Sequence, residues 1–214
     1  MMSFHSAVSS LPATALKAAA AAAGAPASKQ PFLGAAKRSS MGSAGVGDVV
    51  FTADDIARML PHRYPVAAID KVVEYSAGVS AVGVKTITTS DPQLVGHFPG
   101  YPVYPGVMIV EALAQLGGIA CSEGVEGRND HMINNTGNKE QLFGTGSILL
   151  LAATGGIRWK RPVRPGDTMW MEVDVLLKPR HGVAKVSGRA FVEGGLVCEI
   201  KSMTLYEKDE GIEA

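Results

Sequence analysis

The chain has 214 residues, 46% of them hydrophobic, with 20 Lys plus Arg balancing 20 Asp plus Glu. That length fits one domain with a tail. A formal net charge of zero argues against a nucleic-acid partner, and no stretch approaches the roughly 20 consecutive apolar residues of a membrane-spanning helix.

Residues 1–47 contain no Asp or Glu and four basic residues, Lys17, Lys29, Lys37 and Arg38, around an alanine run from Ala18 to Ala23. Without those four, 16 basic residues face 20 acidic ones, so the remainder is mildly acidic. An acid-free, Ser-containing, weakly basic leader has the composition of an organelle transit peptide; a disordered tail is the plainer alternative. The domain is expected over residues 48–208, with a short tail at 209–214.

A helix is expected from Thr52, whose hydroxyl can cap it with Asp55 at the third helical position, and Pro61 ends it. Val66–Tyr75 and Val79–Thr88 read as strands joined around Ala77-Gly78. The loop from Ser90 to Pro105 holds Pro92, Pro99, Pro102 and Pro105, and is expected to be stiff, neither helical nor laddered. Gly106 to about Ser122 is apolar nearly all round and reads as one long buried helix. Residues 123–147 are polar and Gly/Asn-rich and read as a surface insertion. Period two then returns in Thr168–Leu177, Val183–Val192 and Leu196–Tyr206, with turns at Lys178–Gly182 and Glu193–Gly195. One buried helix and about six antiparallel strands give an α+β domain, the sheet curled around the helix. Cys121 and Cys198 stand in apolar surroundings and read as reduced core thiols.

Two residues stand out chemically. His97 sits in the rigid Gly-His-Phe-Pro-Gly turn of residues 96–100, which can orient an imidazole as a base. His5, His62, His131 and His181 are taken as structural, with His62 and Arg63 ordering the N-terminal segment. Glu111 is an isolated carboxylate in the apolar helix, and no Lys or Arg lies between Gly96 and Glu126 to pair with it. Such a group either gains a proton or meets a polar cavity. Gln115, four residues on, shares its face and can hydrogen-bond it. Gly106 opens the helix, where a free N–H is a candidate oxyanion donor; a glycine chosen for the turn is the alternative. Arg158, Lys160, Arg161 and Arg164 read by default as a solvated strand end. There is no P-loop, GxGxxG or clustered Cys/His, so the sequence offers no nucleotide, flavin or metal site.

The stretch GHFPGYPVYPGVMIVEALAQ (96–115), with MLPHRYP (59–65) and RWKRPVRPGD (158–167), closely resembles the beta-hydroxyacyl-acyl carrier protein dehydratases of type II fatty acid synthesis. The resemblance runs from about Thr52 to Glu207 and implies the FabZ-like hotdog fold, an antiparallel sheet wrapped around a long central helix. It implies dehydration of (3R)-hydroxyacyl-acyl carrier protein to the trans-2-enoyl product. In that reaction His97 takes the C2 proton, the Gly106 amide meets the enolate oxygen, and Glu111 protonates the leaving hydroxyl. The substrate rides on the carrier's phosphopantetheine and no cofactor is needed. The four basic residues then become a carrier-docking patch. The resemblance further implies a homodimer with sites shared between two chains, assembled into a hexamer (a trimer of dimers). For such an enzyme the leader points to the plastid stroma, with the mitochondrion or cytoplasm as alternatives.

The chain departs from the pattern in three places. Leu149–Leu151 stand just before the third strand, where the family often has an aromatic residue. No acidic residue lies at Thr154-Gly155-Gly156. The insertion is the third departure. A bifunctional dehydratase/isomerase is the nearest rival, although its helical acid is typically Asp. An acyl-thioesterase and a non-catalytic acyl-binding module are further alternatives on the same fold.

Overall fold

The computed structural model describes residues 49–125 and 142–208. The leader 1–47, the middle of the insertion and the tail 209–214 lie outside the described residues.

Helix α1 (Ala53–Met59) begins as its sequence dictates. Thr52 accepts from the Asp55 amide, and the Asp55 carboxylate accepts from the Thr52 N–H at 2.9 Å, so two otherwise orphaned amides are satisfied reciprocally. Strands β1 (Lys71–Ser76) and β2 (Ser80–Thr86) form a hairpin. Residues 66–70, expected to be strand, are not. The backbone there is held by a side chain: Gln115 accepts from the Ala68 N–H at 3.0 Å and donates to the Val66 carbonyl at 2.9 Å. The proline-rich loop also departs from expectation, holding a 3-10 turn at Pro92–Leu94 with proline at its start, where a missing N–H costs nothing.

Helix α2 (Gly106–Ala120) is buried from Ile109 onward apart from Glu111. Strand β3 (Ile148–Trp159) includes Leu149–Leu151 as its first residues rather than following them. The insertion is also shorter than expected. Phe143 is fully buried and its N–H bonds the Cys121 carbonyl at 2.8 Å, so residues 142–147 belong to the folded domain. Strands β4 (Thr168–Arg180), β5 (Val183–Val192) and β6 (Gly195–Lys208) complete a meander. Its two turns place consecutive residues at positive φ, His181-Gly182 and Glu193-Gly194. That is the backbone of the two-residue hairpin turns whose twist suits flanking strands.

The six strands form one antiparallel sheet in the order β1-β2-β4-β5-β6-β3. Helix α2 packs on one face, against β2, β4, β5 and β6, and Met169, Met171, Val173, Val186 and Met203 of those strands are buried in the same core. This is the hotdog arrangement. Cys121 and Cys198 are buried free thiols, and burial pushes the Cys198 thiol up to about 11. On the other face of β4, Glu172 is buried rather than solvated, 3.8 Å from Arg189 on β5.

The helix lies close to the sheet because glycines remove side chains at the crossing. A Cβ at Gly117 would stand 2.9 Å from Val186 and 3.2 Å from Leu205, both fully buried. In a free helix Gly→Ala gains about 1 kcal/mol, but overpacking a filled core costs about 1–3 kcal/mol. Gly117→Ala is therefore predicted to lower the denaturation midpoint; a raised midpoint would show that the helix can retreat from the sheet at no cost.

Candidate active site

The His97 loop is closed on itself. The Val103 N–H donates to the His97 carbonyl at 2.9 Å, while Phe98 and Tyr101 exchange backbone bonds at 2.9 and 3.1 Å. The His97 ring is half-buried, stacks on Phe98 and places Nδ1 2.8 Å from the Val103 carbonyl oxygen. A carbonyl can only accept, so Nδ1 carries a proton, and in the neutral ring the lone pair is left on Nε2. The loop thus selects the tautomer in which Nε2 is the base.

Glu111 borders a small, mostly apolar pocket but meets two polar side chains there. Its side chain is 30% exposed, and Gln115 Nε2 donates to its Oε1 at 2.8 Å. His62 Nε2 lies 3.5 Å from the same oxygen. His62, expected only to order the N-terminal segment, therefore reaches the acid. The i, i+4 spacing exposed the Gln115 contact, but nothing local pairs residues 62 and 111. Leu60, Leu149, Leu151 and Leu205 line the same small pocket. Tyr104 lies buried nearby, its hydroxyl pushed far up by burial and by the carboxylates of Asp91, Asp70 and Glu111, so it stays neutral.

His97 and Glu111 make no direct contact with each other within one chain. Gly106 opens α2, and its amide finds no protein acceptor among the described residues; Met108 and Ile109 take the Pro105 carbonyl. Glycine here is required by a tight neighbour that the sequence did not reveal. Trp159 on β3 donates from Nε1 to the Gly106 carbonyl at 3.2 Å, and a Cβ at 106 would stand 2.6 Å from that nitrogen.

Two of the four basic residues make contacts that the sequence did not reveal. Arg161 donates to the Val192 carbonyl and braces the β5–β6 hairpin. Arg164 lies over the Tyr101 ring, 4.5 Å from its centre, and bonds its hydroxyl, bracing the His97 loop. Arg158 and Lys160 are exposed, as are Arg161 and Arg164. No group of three or more His, Cys, Asp or Glu among the described residues could hold a metal ion. No described helix is long and apolar enough to cross a membrane.

The model of the FabA-like domain family matches residues 60–201. The chain is 41% identical over 156 residues to a 3-hydroxyacyl-(acyl-carrier-protein) dehydratase FabZ of Clostridioides difficile, covering 72% of this chain and 97% of that protein. It is 42% identical over 144 residues to the FabZ of Thermomicrobium roseum, covering 67% and 85%. Among solved structures it is similar to the dehydratase heterocomplex ApeI:P of Xenorhabdus doucetiae. The TM-score is 0.56 at 17% identity, over 73% of this chain and 92% of that one, a likeness of fold.

The contact between Gly106 and Trp159 can be tested directly. Gly106→Ala is predicted to displace the half-exposed indole into water, breaking its bond to the Gly106 carbonyl and shifting tryptophan emission to the red. The same substitution in a Trp159→Phe background should leave the emission unmoved. An unshifted spectrum in the single variant would contradict the packing described.

Proposed function

The chain belongs to the FabA-like domain family, and from that membership we propose how its own residues carry the reaction of a 3-hydroxyacyl-(acyl-carrier-protein) dehydratase. It removes water from a 3-hydroxyacyl thioester in fatty acid synthesis. The observation that carries the residue assignment is the pair of free atoms: His97 Nε2, released by the bond from Nδ1 to Val103, and Glu111 Oε2, left open while Oε1 is held.

His97 Nε2 takes the C2 proton, which the thioester carbonyl acidifies. The carbonyl oxygen gains charge as the proton leaves, and the Gly106 N–H at the positive end of α2 meets it. Glu111 gives its proton to the 3-hydroxyl, which departs as water with the C3–O electron pair, leaving the trans-2-enoyl thioester. Each proton has a donor and an acceptor, and no cofactor is needed beyond the phosphopantetheine arm that carries the acyl group. Acyl carrier protein docks through the exposed Arg158 and Lys160, charges suited to an acidic partner. Arg161 and Arg164 contribute through the loops they brace.

The active unit is a homodimer in which His97 of one chain works with Glu111 of the other, and the resemblance extends this to a trimer of dimers. Support comes from apolar surface around the site. Val95, Phe98, Tyr101 and Val107 are exposed, Val107 by 69%. Strand β3 is a sheet edge, 12 residues long, with Leu150 and Leu151 exposed. A long apolar edge strand left open invites aggregation, and a second chain covers it. The leader, by its composition, directs the enzyme to the plastid stroma.

Refolding a mixture of two inactive variants tests both the pair and its sharing. His97→Ala and Glu111→Gln alone are predicted to lose at least roughly 100-fold in rate, the scale of one acid or base group. Random pairing makes half the dimers mixed, each with one intact site, so about a quarter of wild-type activity should return. A mixture as inactive as its parents would place the pair within one chain, and a near-normal Glu111→Gln would remove Glu111 from the chemistry.

A further inference from the structure

One oxygen of the acid on α2 is hydrogen-bonded from one side and approached from another. Gln115, one turn along the helix, donates to Oε1 at 2.8 Å, and His62 Nε2 approaches that oxygen to 3.5 Å from the segment after α1. The base of the His62 side chain is fixed, since Arg63 Nη1 donates to the Leu60 and His62 carbonyls at 2.8 and 2.9 Å. The other ring nitrogen, Nδ1, is buried without a hydrogen-bond partner among the described residues. Of the two neutral tautomers, a buried N–H without an acceptor costs more than a buried lone pair without a donor. The proton therefore sits on Nε2, facing Glu111. Leucines wall the pocket around this contact, and in such surroundings a directional polar contact counts for more than in water.

We propose that His62 is a positioning residue for the dehydration: together with Gln115 it holds Glu111 by Oε1, so that Oε2 is the oxygen that hands its proton to the departing 3-hydroxyl. This rests on the assignment of Glu111 as the acid. As Oε2–H gives up its proton and water leaves with the C3–O electron pair, negative charge spreads over the carboxylate onto Oε1. There the N–H groups of Gln115 and His62 meet it. The contact strengthens as the reaction proceeds, so its loss falls on kcat rather than KM.

Steady-state kinetics of His62→Leu, His62→Gln and His62→Glu, with His62→Leu also built on Glu111→Gln, decide the matter. His62→Leu should lower kcat about 10-fold, the scale of one hydrogen bond to a charged group, with KM within about twofold. His62→Gln, whose amide carries an N–H, should recover most of that loss. With Glu111 already replaced by Gln, His62→Leu should change the residual rate by less than about twofold, because no carboxylate remains to be held. Equal losses in both backgrounds, or an unchanged kcat in folded His62→Leu, would overturn the proposal. If His62→Leu does not fold, the isosteric pair decides: Gln keeps kcat and Glu loses it, and equal turnover by the two overturns the proposal. A crippled Glu111→Gln beside a normal His62→Leu removes only the role of His62. A near-normal Glu111→Gln removes the acid assignment and the proposal with it.

Discussion

The side-chain amide of Gln115 is the constraint on which the site depends. It donates to Glu111 and to the Val66 carbonyl and accepts from the Ala68 N–H, all within 3.0 Å. One buried group thus ties the acid on α2 to the segment that follows α1, and it replaces the strand bonds that segment would otherwise need. Half-burying a carboxylate in an apolar helix costs free energy unless polar groups meet it, and Gln115 supplies the first of them. Because the segment is held there, His62 comes into reach of the same carboxylate. Replacing Gln115 by an apolar residue would leave the Ala68 N–H and the Val66 carbonyl without a partner as well as freeing Glu111, so its effects on folding and on chemistry are not separable.

The sheet provides the second requirement, a helix that cannot shift. Gly83, Gly117 and Gly188 let α2 and the strands approach until leucine and valine methyl groups touch the backbone. At the helix start, Trp159 from the edge strand sits on Gly106 and bonds its carbonyl, so the free amide of that residue points from a fixed platform. Elsewhere in the chain, the His97 loop is pinned by its own backbone bonds and braced by Arg164 on Tyr101. Acid–base chemistry needs groups held to within fractions of an ångström, and His97 and Glu111 each make at least two contacts.

Local rules made much of this legible in the sequence. The capping box at Thr52, the start of α2 after Pro105, the bounds of β5 and both hairpin turns follow from residues within a few positions of one another. So does the bond from Gln115 to Glu111. The resemblance in residues 96–115 added roles to His97 and Glu111 that spacing alone leaves open. What stayed hidden depends on residues far apart in the chain. His62 and Glu111 are separated by the whole β1–β2 hairpin and the proline-rich loop, and Trp159 reaches Gly106 from the opposite side of the insertion. Residues 66–70 read as strand because their apolar pattern is right, but a side chain took the backbone bonds. Phe143 read as part of an insertion because its polar neighbours masked a single anchoring ring. Arg161 and Arg164 are exposed, as a solvated string would be, but a string of cations gives no sign of which carbonyl or ring each will meet.

The reaction adds water to, and removes it from, carbons 2 and 3 of a carrier-bound acyl chain. Mass spectrometry of crotonyl-acyl carrier protein incubated with the enzyme in deuterium oxide tests this in the reverse direction. The prediction is a carrier-bound 3-hydroxybutyryl group with one carbon-bound deuterium at C2, its hydroxyl drawn from the solvent. An unchanged crotonyl group, or free carrier thiol released by hydrolysis of the thioester, would contradict it.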